Sequence, residues 1–391
     1  MTPDPSSGVD GPRAPGRPIR VLLADDSPVA RELMLHLFNA DPQLTVVAAV
    51  DDGVEAVKAA GALRPDVIAM DIHMPRLDGF AASRAIMETC PTRIVMITAS
   101  IDPGEVAATF RALEAGALAV LAKPGPVGHP DFEAHCAVLL RTVKAMSEVL
   151  VIKRWPSARA ATDRAPPVAA PALGATPAGP SFNRPGSAAA AGRFHAAIRM
   201  VAIGASTGGP MALKSLLARM PAGFPVPILI VQHISDGFEQ GFVEWLGAAA
   251  NYPVRLAAHG ITAQPGVALV APAGAHMTVG PDGKVELVAG QPEHGLRPSV
   301  GRLFRSVEAA YGAAAVGVLL TGMGRDGALE LQRMRRSGAV TIAQDRESSV
   351  VFGMPAAAVK LDAATYVLSP EGIAELLGSL FGLTASLRPS A

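Results

Sequence analysis

The chain has 391 residues, a length that points to two or three domains, and its Lys+Arg and Asp+Glu are balanced at 34 each. Zero net charge leaves no global pull toward nucleic acid or an anionic membrane surface. The two cysteines, Cys90 and Cys136, form neither a disulfide framework nor a metal-ligand spacing, and they suit a reducing, cytoplasmic setting.

Residues 1–17 are rich in Pro, Gly and Ser, lack the apolar core of a signal peptide, and read as disordered. Periodic structure begins at Ile19. The runs IRVLLAD, LTVVAAV, VIAMD, RIVMITA and LAVLAKP read as strands, and the segments near 28–39, 53–63, 78–88, 103–115 and 131–147 as helices. Continuous apolar strands separated by helices indicate a parallel sheet covered on both faces. One α/β domain is therefore expected over 18–148. Residues 149–197 lose all period, and their Ala/Pro/Gly content marks a flexible linker. A second α/β pattern follows over 198–388, with strands at RMVAIGA, VPILIVQ, VRLAA, GVALVAP, AVGVLLTG, AVTIAQ and ATYVL. The expected fold is thus α/β with two doubly wound parallel-sheet domains, the second Rossmann-like. No segment has the uninterrupted apolar length of a transmembrane helix.

In the first domain the polar residues fall at strand ends. Asp25 and Asp26 follow the first strand, Asp71 ends the third, Thr98 the fourth, and Lys123 the fifth. In an open parallel sheet such positions converge on the ligand edge. Three clustered carboxylates need a counter-charge, and hard oxygen ligands suit Mg²⁺. A carboxylate beside a metal, a hydroxyl and an ammonium is placed to attack a phosphoryl group. The set ADDS at 24–27, MDIHMPRLDG at 70–79, Thr98 and Lys123-Pro124 resembles a response-regulator receiver domain. That resemblance implies Asp71 as phosphoacceptor, with Mg²⁺ held by Asp26, Asp71 and the His73 carbonyl, assisted by Asp25. Thr98 and Lys123 would sense the acyl phosphate, and a chemotaxis-type histidine kinase would donate it. Where many receivers carry an aromatic switch residue, this chain has Val120.

In the second domain, VAIGASTGGP (201–210) contains G-x-S-x-G around Ser206. It lacks the lysine of a P-loop and the second glycine of a dinucleotide turn. A serine nucleophile needs a base and an orienting acid. His233 and His276 both follow strong apolar runs, and position alone does not choose between them. Asp326, in TGMGRDG, follows AVGVLL to the same sheet edge, in a loop whose glycines free backbone N–H groups for an oxyanion. The order Ser…His…Asp excludes the α/β-hydrolase order that G-x-S-x-G first suggests. Together GASTGGP, VQHI, APAGAHM, LRPSV, LTGMGRDG, AQD and VVFGMPAAA resemble the catalytic domain of chemotaxis-type protein-glutamate methylesterases.

This second resemblance implies Ser206 as nucleophile, His233 as base and acid, and Asp326 as its orienting partner. Met323 would supply a backbone oxyanion donor, Thr207 would support the site, and His276 would either stand behind the residues of the site or lie in the substrate groove. It implies hydrolysis of glutamate γ-methyl esters on chemoreceptor cytoplasmic helices, glutamine deamidation by the same chemistry, and no cofactor for the esterase. Family members often carry an acidic residue where this chain has Gly301. A DNA-binding output domain would show a basic recognition helix, which this sequence lacks, so neither nucleic acid nor membrane insertion is expected.

Overall fold

The computed structural model describes residues 17–99, 110, 113, 116–125, 128, 132–149, 198–221 and 223–383. The expected N-terminal disordered segment, most of the helix expected at 103–115 and the expected linker from 150 onward lie outside the described residues.

The N-terminal part runs β1 (Ile19–Ala24), α1 (Pro28–Ala40), β2 (Leu44–Val50), α2 (Gly53–Leu63), β3 (Val67–Asp71), α3 (Gly79–Thr89), β4 (Arg93–Thr98), β5 (Ala119–Ala122) and α4 (Phe132–Met146). Its strands form one parallel sheet in the order β2-β1-β3-β4-β5. Side-chain caps start three of its helices. Ser27 accepts from the Ala30 N–H, Asp52 from Val54 and Glu55, and Asp78 from Ala81, so each satisfies otherwise orphaned amides. Every residue of β3 is buried, which is why VIAMD shows no polar alternation.

The C-terminal part runs β6 (Met200–Ala205), α5 (Gly209–Ala218), β7 (Ile228–Gln232), α6 (Glu239–Ala250), β8 (Val254–Leu256), β9 (Ala268–Val270), β10 (His276–Val279), β11 (Val285–Val288), α7 (Val300–Tyr311), β12 (Ala315–Leu319), α8 (Ala328–Arg336), β13 (Val340–Gln344), α9 (Met354–Lys360), β14 (Tyr366–Leu368) and α10 (Pro370–Leu380). Seven strands build a parallel sheet in the order β14-β13-β12-β6-β7-β9-β8. Successive side chains of β6 enter opposite layers. Val201, Ile203 and Ala205 join the core that includes Leu213, Leu216 and Phe242, whereas Met200 and Ala202 join the one containing Phe304 and Leu331. The antiparallel hairpin of β10 and β11 was not foreshadowed by the expected strands; it turns at Asp282-Gly283, with Gly283 at φ 80°.

Each sheet reverses its strand order once. In the first, the chain leaves β1 for β2 on one side and β3 on the other. In the second it leaves β6 for β7 on one side, while β12 and β13 lie on the other. Such switch points open a crevice at the carboxyl ends of the strands. Asp25 and Asp71 flank the first crevice; Ser206 and the 320–326 loop flank the second.

The two parts meet through apolar side chains. The Phe110 ring stacks on Trp245 at 5.4 Å and tilts against Phe242 at 5.2 Å, both on α6. Val350 and Val351 pack against the core that contains Leu139 and Val143 of α4.

Candidate active site and phosphoacceptor site

The carboxylates of Asp25, Asp26 and Asp71 each present an oxygen within 4.8 Å of the others. Asp25 and Asp71 are buried and Asp26 is exposed, so the cluster opens to solvent on one side. Lys123 Nζ sits 2.8 Å from an Oδ2 of both Asp25 and Asp71. Burial pushes the Asp25 carboxyl above its ordinary pKa against the opposing pull of Lys123. Burial also opposes the Lys123 charge, yet its bonds to the two carboxylates outweigh that and raise its pKa. A cation would relieve the repulsion among these hard oxygens, so the donor set fits Mg²⁺. Thr98 is buried at the end of β4, and its carbonyl accepts the Lys123 N–H at 2.7 Å. His73 is exposed on the loop after β3. Val120 lies on β5 and lines the cavity between the two parts of the chain.

Ser206 follows β6 directly. Its N–H donates to the Thr321 carbonyl at 3.0 Å, and its own carbonyl accepts from Gly209 at 2.8 Å. The turn requires Gly208, which has φ 77°; a Cβ there would lie 2.4 Å from the Val350 Cβ. His233 follows β7, the neighbour of β6, and its N–H donates to the Ala205 carbonyl at 3.0 Å. Sheet pairing therefore brings the serine and the histidine to one edge.

Asp326 is buried and accepts four hydrogen bonds. Oδ2 takes His233 Nε2 at 3.0 Å and the Val300 N–H at 2.7 Å. Oδ1 takes the Ser299 hydroxyl and the Gly301 N–H, both at 3.0 Å. The amides of Val300 and Gly301 open α7, so the carboxylate sits at the positive end of a helix. Burial alone would raise the Asp326 pKa; the bonds from His233 and the helix amides outweigh it and hold the carboxyl below its ordinary value. His233 offers Nε2 to Asp326, and Nδ1 makes no hydrogen bond among the described residues. The Ser206 hydroxyl makes no hydrogen bond among the described residues, as is common before substrate tightens a site.

His276 is not brought to Ser206. It lies fully buried in the β10 hairpin, where Nδ1 accepts the Ser299 N–H at 3.2 Å and Nε2 donates to the Gln291 carbonyl at 3.0 Å. Both ring nitrogens are thereby used, and His276 supports the residue that holds Asp326. Met323 is 36% exposed at the rim, and Thr207 gives its carbonyl to the Thr321 hydroxyl at 3.0 Å. At Gly301 a Cβ would come within 3.1 Å of the Glu330 carboxyl. Arg305 binds that carboxyl and also Glu293, so acidic charge reaches this spot from α8. Ser299 and Gln232 went unnoticed in the sequence. A serine opening an amphipathic helix reads only as a cap, and a glutamine ending a strand carries no signal until its partners are known.

The serine, His233 and Asp326 line a cavity of about 620 Å³ whose opposite wall is formed by Val120, His135 and Leu139.

Residues 201–377 match the profile of the family described as CheB methylesterase, and residues 21–129 match that of the response regulator receiver domain. The protein-glutamate methylesterase/protein-glutamine glutaminase 1 of Syntrophus aciditrophicus is 51% identical over 94% of this chain and 99% of its own length. The chain belongs to this methylesterase/glutaminase family. A relative of the same description from Nitrosospira multiformis is 49% identical over 93% of this chain and 97% of its own. Among solved structures, the Thermotoga maritima CheB methylesterase catalytic domain is 34% identical, covers 46% of this chain and 97% of its own, and gives a TM-score of 0.45. Among the described residues, no helix of this methylesterase-family chain is long and apolar enough to cross a membrane.

Proposed function

We propose that the chain is a phosphorylation-activated serine esterase that hydrolyses glutamate γ-methyl esters on the cytoplasmic helices of chemoreceptors and deamidates receptor glutamines. The observation that carries this reading is the Asp326–His233 pair fixed beside Ser206 at the switch point of the second sheet.

His233 Nδ1 takes the Ser206 hydroxyl proton as Oγ attacks the ester carbonyl. Asp326 fixes the ring and stabilises the imidazolium that results. The Met323 N–H, engaged by no hydrogen bond among the described residues, receives the oxyanion. His233 returns the proton to the departing methoxide, and methanol leaves. A water then gives its proton to His233 and attacks the acyl-serine. Collapse restores Ser206 and leaves a glutamate carboxylate. A glutamine substrate loses ammonia in place of methanol.

Asp26, Asp71 and the His73 carbonyl, with Asp25 beside them, would hold Mg²⁺, which when bound offsets charge on an incoming phosphoryl group. Asp71 accepts the phosphoryl from a chemotaxis-type histidine kinase. The new charge competes with Asp25 and Asp71 for Lys123, and Thr98 follows the phosphoryl oxygens. The face formed by β5 and α4 covers the catalytic cavity, so a shift of this face admits a receptor helix.

The test is methanol release from a methylated receptor fragment with a small phosphodonor present or absent. Ser206→Ala should abolish release, and Asp71→Ala should keep basal release but lose activation. Equal release by the native chain and Ser206→Ala would refute the esterase reading.

A further inference from the structure

Gln232 ends β7 with its side chain buried at 2% exposure. Its Nε2 donates to the Ser206 carbonyl at 2.9 Å and to the His233 carbonyl at 2.8 Å. Its Oε1 is buried and accepts no hydrogen bond. A flipped amide would set Oε1 against both carbonyls, so the two acceptors fix the orientation. Gly209 leaves the space this requires, since a Cβ there would stand 2.1 Å from Oε1.

An unmet buried acceptor is destabilising, and an apolar side chain of similar size would avoid it. The fold keeps the amide instead, and both of its hydrogens reach the backbones of the two residues that must exchange a proton. Other links tie each turn to the strands. The His233 N–H binds Ala205, and the Ser206 N–H binds Thr321. Gln232 alone among the described side chains bonds to both the serine and the histidine backbones.

We propose that Gln232 is a positioning residue whose amide cross-links the nucleophile turn to the base turn and so sets the approach of Ser206 Oγ to His233. Its amide bonds to the two backbone carbonyls and to none of the reacting side-chain atoms. The inference rests on the esterase reading above. Loosening such a contact costs rate rather than ground-state binding, since small misplacements of reacting groups lower turnover by roughly 10- to 100-fold.

The test uses the full chain with a methylated receptor fragment. Gln232→Met keeps the length and volume but donates nothing. Its kcat should fall about tenfold or more with KM within about twofold. Ile230→Val, a core change on the same strand, is the control for general destabilisation and should keep kcat within about twofold. Gln232→Glu adds a readout that packing alone would not give. Its protonated acid can donate to one carbonyl, and its ionised form to none. Its kcat should therefore fall relative to the native chain as pH rises, at pH values where circular dichroism shows both folded. Native-like kcat in Gln232→Met would overturn the proposal, as would equal loss in Ile230→Val or a pH profile of Gln232→Glu parallel to the native one. An inactive native chain would instead refute the esterase reading itself.

Discussion

Asp326→Asn changes almost no volume but breaks the bonding at both carboxylate oxygens. Oδ2 serves His233 and Val300, and Oδ1 serves Ser299 and Gly301. An asparagine has one oxygen, so its NH₂ must face one of these pairs. If it faces His233, Nε2 becomes the acceptor and Nδ1 carries the hydrogen, so the ring cannot take the Ser206 proton. If it faces Ser299, the hydroxyl can rotate to accept, but the Gly301 N–H is left against a donor. A neutral side chain also stabilises the imidazolium less in either case. The analogous change in a chymotrypsin-type triad lowers kcat about 10⁴-fold, and we expect roughly 10³- to 10⁴-fold here, equivalent to about 4–5.5 kcal/mol of barrier. One stranded buried amide should cost about 1–3 kcal/mol of stability. The assay is methanol release under saturating receptor fragment, with thermal unfolding measured alongside. The pH dependence has a defined sign. Because the folded Asp326 pKa is depressed, its contribution to stability is complete above the unfolded carboxyl pKa and is lost as pH falls through the folded one. The stability gap between native and Asp326→Asn should therefore narrow on acidification below pH about 4. A kcat within tenfold of native in a folded variant would refute the role given to Asp326.

Two other outcomes are expected. Phe110→Ala removes the ring packed on Phe242 and Trp245, so basal methanol release should rise several-fold without a phosphodonor, and Trp245 emission should shift red; unchanged release and emission would refute the covering role of this face. Gly208→Ala places a Cβ against Val350 at positive φ and should cost about 1–3 kcal/mol, visible as a lower Tm together with lost turnover.

Much of this site is legible in the amino-acid sequence. Doubly covered parallel strands are continuous apolar runs, so VAIGA, PILIVQ and AVGVLL stood out, and with them the polar residues at their ends. Chain position does not choose between His233 and His276, because that depends on sheet order; only the resemblance of VQHI to the methylesterase family points to His233. β7 lies next to β6, whereas His276 sits in a separate hairpin. That hairpin also escaped detection, since two four-residue strands carry little period. The anchoring of Asp326 by Ser299 and the first amides of α7 stayed hidden for another reason. Backbone donors have no residue identity, and the contact spans distant parts of the chain. The Gly301 departure gained a physical account only when Glu330 was seen to approach it from α8.

The order of strands in the second sheet has a bearing on biosynthesis. β6, which leads into Ser206, is flanked by β7 on one side and by the much later β12 on the other. A nascent chain that has emerged only as far as α7 holds Ser206 and His233, but its central strand has an open edge and its histidine has no Asp326. Closing that edge requires a contact of long sequence separation, which forms late and slowly. On the proposed mechanism the chain gains its chemistry and the protection of its central edge in one event, so a fragment released before that point should be both inert and prone to pair with other strands.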